Sequence, residues 1–342
     1  MFKNKEGKVR SGWKIVIVLV ITLAATTIIT GIIGGIVGAM LAASGDMIVR
    51  SLTDITYTER GEHILGIVNT VAMFLQELIF IITPIIAWKL IMKRKLSDMG
   101  FPALKSHSAE FMIGLAIGIV SISAVFAALV LTGEAKVETW TPRFVSSQLV
   151  YVFVFISVGF AEEIFGRGYI MSVLRQTKSK PVIIIVSAVI FALLHAGNPG
   201  VGPLPYINLA LFGVFTAYIY IRSGNIWMCI GYHITWNYFQ GYVFGFKVSG
   251  TNSQGMLTTA FPKDSILNGG AFGPEGGLFV TVIILLGILF VKFYYKNSQF
   301  DFMTVDQPAE LPQPLYDTAA VGLTQEVVSE SPDKVDIEQK KM

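Results

Sequence analysis

Eight apolar stretches divide this 342-residue chain, at roughly 15–43, 64–92, 109–131, 145–172, 182–196, 205–221, 226–245 and 277–295. A spanning helix needs about 20 mostly apolar residues, and in lipid every backbone polar group must find its partner inside the segment. The pattern predicts an all-α fold: a polytopic membrane bundle of about eight transmembrane helices. Only 14% of residues are charged and 53% are hydrophobic, against about 25% charged in soluble domains. The fifth and sixth stretches are short and are separated by Gly197-Asn198-Pro199-Gly200-Val201-Gly202-Pro203. Irregular backbone of that kind cannot face lipid, so it is expected to end a helix pair or line a cavity.

The net charge of +3 conceals an asymmetry. Basic residues gather in the leader (Lys3, Lys5, Lys8, Arg10, Lys14), at Lys93-Arg94-Lys95, at Arg175 with Lys178 and Lys180, at Arg222, and at Lys292 with Lys296. These are alternate loops, so positive-inside counting puts both termini in the cytoplasm. The charge therefore reads as topology, and no nucleic-acid partner is expected. Three regions follow: a basic leader at 1–14, a membrane domain at 15–296 with its core at about 145–245, and an acidic tail at 297–342 rich in Pro, Ser and Gln that is expected to be disordered. The first apolar stretch is longer than the roughly 7 to 15 residues of a secretory signal core, so it is read as a retained span. Its Gly31, Gly34, Gly35 and Gly38 contain two Gly-x-x-x-Gly spacings, which fit either a homodimer face or ordinary membrane-helix glycine. The single cysteine, Cys229, allows neither a disulfide framework nor a thiolate zinc site.

Against this apolar background, three short patterns stand out: Glu162-Glu163-x-x-x-Arg167, Phe191-x-x-x-His195 and His233-x-x-x-Asn237. A bilayer penalises such side chains, so their presence points to a functional site. On a helix, Glu163 and Arg167 share a face at i,i+4 while Glu162 points about 100° away. Glu163 can pair with Arg167, which offsets the burial of both charges. Glu162 is left as a carboxylate with no sequence-local cation, suited to a general base. Counting about 1.5 Å per residue from the nearest loop places Glu162 and His195 roughly 20 Å deep and His233 roughly 12 Å deep, levels compatible with one site. Gln76 and Glu77 also lie inside a span, where they could meet the Glu163/Arg167 region or shape a cavity.

One free carboxylate, two imidazoles and a carboxamide, with no nucleophile setting for Ser or Cys, suit water activation better than covalent catalysis. In one version Glu162 and His195 orient and deprotonate a water while His233 and Asn237 stabilise an oxyanion. In another, Glu162, His195 and His233 hold zinc, although no H-E-x-x-H motif is present. The cofactor is thus zinc or none.

The pieces Glu162-Glu163-Ile-Phe-Gly-Arg167-Gly168-Tyr169, Ser187-Ala-Val-Ile-Phe191-Ala-Leu-Leu-His195, and Arg222-Ser-Gly-Asn225-Ile-Trp227 leading into His233-Ile-Thr-Trp-Asn237 resemble the CPBP group of intramembrane proteases, also called the CAAX prenyl protease 2 or Abi family. Leu96-Ser-Asp-Met-Gly100-Phe101 is similar to the family's lead-in loop. The resemblance implies a helical membrane peptidase with Glu162 as catalytic glutamate, His195 orienting water, and His233 with Asn237 as oxyanion pair. The family has been described as metalloprotease and as metal-independent glutamate protease. The resemblance also implies the cell membrane of a bacterium and a membrane protein or peptide as substrate. Gly166 departs from the family pattern, in which an aromatic is common before the arginine, and Phe165 is placed to fill that space. Two other classes stay in view: a non-enzymatic scaffold or immunity protein of the same fold, and a proton-coupled transporter, which lacks visible inverted repeats. The glycine-rich loop Ser249–Gly277 reads as a connector or a lid.

Overall fold

The structure, a computed structural model, describes residues 9–51, 53–140, 147–252 and 255–304 together with Phe2, Lys3 and Gly7. Eight principal helices follow one another: α1 (Ser11–Ser44), α2 (Glu59–Ala87), α3 (Ser108–Leu131), α4 (Ser147–Glu163), α5 (Lys180–Leu194), α6 (Pro203–Ser223), α7 (Trp227–Asn237) and α8 (Leu278–Tyr294). Each falls on one of the eight apolar stretches. Four helical segments are long and apolar enough to cross a membrane: Ser11–Ser44, Glu59–Met92, Ser108–Leu131 and Pro203–Ser223. Helices α5 and α8 are apolar but shorter, and α4 and α7 each run into a π-helical segment, Ile164–Met171 and Tyr238–Val243. The protein is an integral membrane protein. Large apolar side chains such as Val20, Ile28, Leu131, Phe153, Ile185 and Phe293 project outward, as lipid-facing positions do.

Two small antiparallel pairs complete the chain: β1 (Met47–Val49) with β2 (Ile55–Tyr57), and β3 (Lys136–Trp140) with β4 (Leu257–Ala260). The first pair closes the turn between α1 and α2. Helix α1 ends on Gly45 in the left-handed region (φ 77°), which glycine enters without steric penalty. The Asp46 carboxylate accepts from Ser44 Oγ and Thr58 Oγ1, both at 2.7 Å, while Thr58 Oγ1 itself accepts from Gly61 N and caps α2. These two hydroxyl bonds hold the Asp46 carboxyl below its ordinary range.

Helix α7 sits at the centre, with every residue buried. It lies nearly backbone to backbone against α3. A Cβ on Gly114 would stand 2.3 Å from the Met228 carbonyl oxygen, one on Gly118 2.5 Å from that of Tyr232, and one on Gly231 2.4 Å from that of Phe111. Thr235 Oγ1 donates across this seam to the Leu115 carbonyl at 2.9 Å. Small residues permit such an approach where lipid offers no hydrophobic drive for helix association. By contrast, nothing lies within 4 Å of the Cβ positions of Gly31, Gly34, Gly35 and Gly38. The Gly-x-x-x-Gly spacing that packs this protein internally is Gly114–Gly118.

The lead-in loop docks at the foot of α7. Gly100 O accepts from Ile226 N at 2.9 Å, Pro102 O accepts from Trp227 Nε1 at 3.0 Å, and Asn225 Oδ1 accepts from Trp227 N at 3.1 Å to start the helix. Residues 11–14 belong to α1 and not to a leader, because the helix continues into its flanking polar residues. Residues 297–304 pack on the bundle, since Phe302 is fully buried, its ring lies under Arg175, and Lys180 pairs with Asp301 at 2.9 Å. The rest of the predicted acidic tail, from 305 onward, lies outside the described residues.

Two outcomes are expected from this packing. Gly118→Val forces the α3–α7 seam apart and is expected to cost about 1–3 kcal/mol, seen as a lowered thermal midpoint in detergent, while Gly35→Val leaves the midpoint unchanged. Asp46→Asn is expected to lower the midpoint at neutral pH. Because the folded carboxyl titrates below its ordinary 3.8, its contribution is complete above that value and fades as pH falls through the folded value. Wild type and variant should therefore begin to converge only in melts taken below the ordinary 3.8, and meet once pH lies under the folded carboxyl's own titration.

Candidate active site

Glu162 and Glu163 are the last two residues of α4, at the junction where the helix widens into the π-helical segment Ile164–Met171. Segments of this kind recur at functional sites because the extra residue per turn re-aims side chains and frees carbonyls. Ser187 Oγ of α5 donates to the Gly166 carbonyl at 3.1 Å.

The two glutamates separate as helix geometry requires. Glu163 is fully buried and its Oε2 lies 3.1 Å from Arg167 Nε, also fully buried. Arg167 in turn donates through Nε and Nη2 to Thr216 Oγ1 of α6, and its guanidinium lies 4.5 Å from the centre of the Phe191 ring. A buried ion pair needs such added partners to offset the loss of water. Glu163 has a second partner that its helix position alone does not reveal: His233 Nδ1 stands 2.9 Å from its Oε1.

That contact fixes a histidine. With Glu163 ionised beside Arg167, His233 Nδ1 carries the hydrogen and donates, and Nε2 faces Glu162 Oε2 at 3.7 Å. His195 is oriented in a different way. Its Nδ1 lies 2.9 Å from the Phe191 carbonyl, and a carbonyl only accepts, so Nδ1 again holds the hydrogen. His195 Nε2 then faces the same Glu162 Oε2, at 4.0 Å. Glu162 Oε2 is buried and makes no hydrogen bond among the described residues. Three side chains from α4, from the end of α5 and from α7 thus meet at one carboxylate oxygen. Asn237, one turn beyond His233, is buried and lines the same cavity.

This cavity has a volume of about 950 Å³. Its walls come from α1, α2, α4, α5, α6, α7 and α8, and the loops at Gly197–Pro199 and Lys247–Asn252 also line it. The Gly/Pro-rich break therefore lines a cavity, and Asn198 Nδ2 ties it to the Ser249 carbonyl at 2.8 Å. The glycine-rich loop is anchored at the same cavity. Glu275 accepts from Ser249 N at 2.5 Å and from Trp236 Nε1 at 3.3 Å.

Zinc ligands with bonds near 2.0–2.1 Å stand about 3.3 Å apart in a tetrahedron. The separations here are 3.7 and 4.0 Å, and among the described residues no group of three or more His, Cys, Asp or Glu side chains could hold a metal ion. As arranged, Glu162, His195 and His233 do not fit zinc. They do fit a water oxygen, which can reach partners on both sides at hydrogen-bond length.

Comparison with known proteins bears on the stretch that holds all of these groups. Residues 144–239 match the family described as type II CAAX prenyl endopeptidase, Rce1-like. This segment belongs to the CAAX protease family. No curated protein and no solved structure matches the chain. The matched stretch runs from before α4 to just past α7, and contains Glu162, Glu163, Arg167, His195, His233 and Asn237. The remaining cavity walls, α1, α2, the 247–252 loop, Glu275 and α8, lie outside it.

Sequence reading did not find the partners Thr216 and Phe191 of Arg167. Phe191 carried a signal, one turn before His195 on the same face, whereas Thr216 lies in an ordinary apolar helix and carried none. Arg167→Met leaves Glu163 buried beside His233 with no compensating arginine. We expect a loss of about 3–5 kcal/mol, measured as a drop in thermal midpoint.

Proposed function

We propose that the protein is an intramembrane endopeptidase that hydrolyses a peptide bond of a membrane-associated protein or peptide by a water activated on Glu162. The observation that carries this reading is the convergence of two imidazole Nε2 atoms on one unpartnered carboxylate oxygen, within a segment of the CAAX protease family.

The tautomers support the following roles. His195 is held with its hydrogen on Nδ1, so its Nε2 can only accept. A water lying between Glu162 Oε2 and His195 Nε2 donates one hydrogen to each, which leaves an oxygen lone pair free for attack. Glu162 takes the proton as that oxygen bonds to the substrate carbonyl carbon. The carbonyl oxygen becomes an oxyanion, to which the Asn237 carboxamide donates. His233 joins as a donor when it carries both hydrogens, as an imidazolium whose charge Glu163 balances. Glu162 then returns its proton to the leaving nitrogen, the C–N bond breaks, and a carboxylic acid and an amine are released. Glu163 and Arg167 act through His233 by fixing its ring, and are positioning residues. The positive-inside pattern supports termini in the cytoplasm, with Arg175, beyond the π-helical extension of α4, on that side.

Cleavage of a membrane-anchored peptide by purified full-length protein tests the reading. Glu162→Gln and His195→Ala are each expected to lower kcat/KM by about 10²–10⁴-fold, and Asn237→Ala by about 10²–10³-fold. Wild-type rates are expected to survive chelation with metal content verified by elemental analysis. Full activity in folded Glu162→Gln protein would sink the proposal, and loss of activity on chelation with recovery on adding zinc would sink its metal-free form.

A further inference from the structure

Helix α2 presents a polar face to the cavity, opposite the site. Asn69, Gln76 and Glu77 recur at the spacing of one helical stripe, and all line the cavity. Glu77 is only 8% exposed. Its polar contact is Gln76 Nε2 at 3.5 Å, the outer limit of a hydrogen bond. From the neighbouring helix α1, Thr26 Oγ1 is buried and lines the same space without a hydrogen bond among the described residues. Thr22 and Thr30 of that helix, in contrast, both bond back to the carbonyl four residues earlier.

Glu77 and Glu162 line the same cavity, and among the described residues no lysine or arginine is paired with Glu77. Arg167 is committed to Glu163 and Thr216. Among the described residues lining the cavity, the one lysine or arginine is Lys247 of the 247–252 loop, and Lys247 donates to the Ala271 carbonyl. Two carboxylates facing one low-dielectric space repel, and an incoming cation relieves that repulsion. Apolar residues line the cavity as well, Met73, Phe80 and Phe155 among them. An apolar stem with a charged tip suits such a surface, and Lys and Arg have that form.

We infer that Glu77, with Gln76 beside it, is a specificity subsite on α2 that receives a basic side chain of the substrate next to the scissile bond. The inference rests on the reading of the cavity as the substrate site. Glu77 lies outside the stretch matched by the family, so selection of this kind belongs to the chain's own α1–α2 wall. Recognition needs no step of bond making: the cation enters, pairs with the Glu77 carboxylate, and sets the register in which a peptide carbonyl meets Glu162.

Binding without turnover tests the subsite. The probes are 20-residue apolar peptides, alike except for one lysine or one norleucine walked along the sequence, titrated into full-length His195→Ala protein in detergent. At one position lysine is expected to tighten binding about tenfold over norleucine. In His195→Ala/Glu77→Gln protein the ratio is expected to fall to near one, and in His195→Ala/Glu77→Lys it is expected to invert in favour of a peptide carrying glutamate at that position. Because the ratio compares two peptides on one preparation, a misfolded fraction does not alter it. A lysine advantage at no position, or one untouched by Glu77→Gln, overturns the subsite. Hydrolysis is judged separately, by Glu162→Gln: loss of cleavage there with no Glu77-dependent ratio removes the subsite alone, while a Glu77-dependent ratio in a protein whose cleavage ignores Glu162→Gln upholds the subsite and removes the mechanism.

Discussion

A single buried carboxylate, Glu163, holds this bundle's chemistry in place. It has no exposed surface, it faces Arg167 on one oxygen and His233 on the other, and Arg167 carries the linkage on to Thr216. Helix α4, its π-helical extension, α6 and α7 are therefore joined through one charge. In an interior without water such a group must be fully partnered or it is strongly destabilising. That requirement explains why the polar residues occur together: Arg167 answers Glu163, Thr216 and the Phe191 ring complete the surroundings of Arg167, and His233 takes the remaining oxygen.

The same arrangement leaves Glu162 one residue away in a different situation. Its Oε2 is buried and meets only the Nε2 faces of two histidines. Glu163 has Arg167 and His233 at 3.1 and 2.9 Å from its two oxygens, whereas the nitrogens facing Glu162 Oε2 stand at 3.7 and 4.0 Å, although both glutamates end the same helix. The widening of the helix after Glu163 allows both orientations while keeping Arg167 within reach. A general base needs an oxygen free to take a proton, and a positioning residue needs the reverse.

Close backbone contact sets the frame around this pair. Gly114, Gly118 and Gly231 bring α3 and α7 together to the point where a methyl group would not fit, and that contact fixes the rotation of α7. Rotation of α7 decides that His233 and Asn237 face the cavity. The lead-in loop fixes its start through Gly100 and Pro102. Site geometry thus depends on residues that carry no polar side chain.

Much of this was legible in the chain itself. Apolar run lengths located the helices because lipid allows few other backbone structures, and i,i+4 spacing separated Glu163 from Glu162 because that relation is local. The polar set was visible because the bilayer makes each member costly. What could not be read was any relation that depends on how one helix is rotated against another. Gly-x-x-x-Gly occurs in both α1 and α3, and only the folded chain shows that α3 uses it internally. The second partner of Glu163 and the cavity that Glu77 shares with Glu162 are likewise long-range. Sequence determined which groups are buried in the membrane and what each can do on its own helix; tertiary structure decided which of them meet, because crossing angles and rotations are set by packing between segments far apart in the chain.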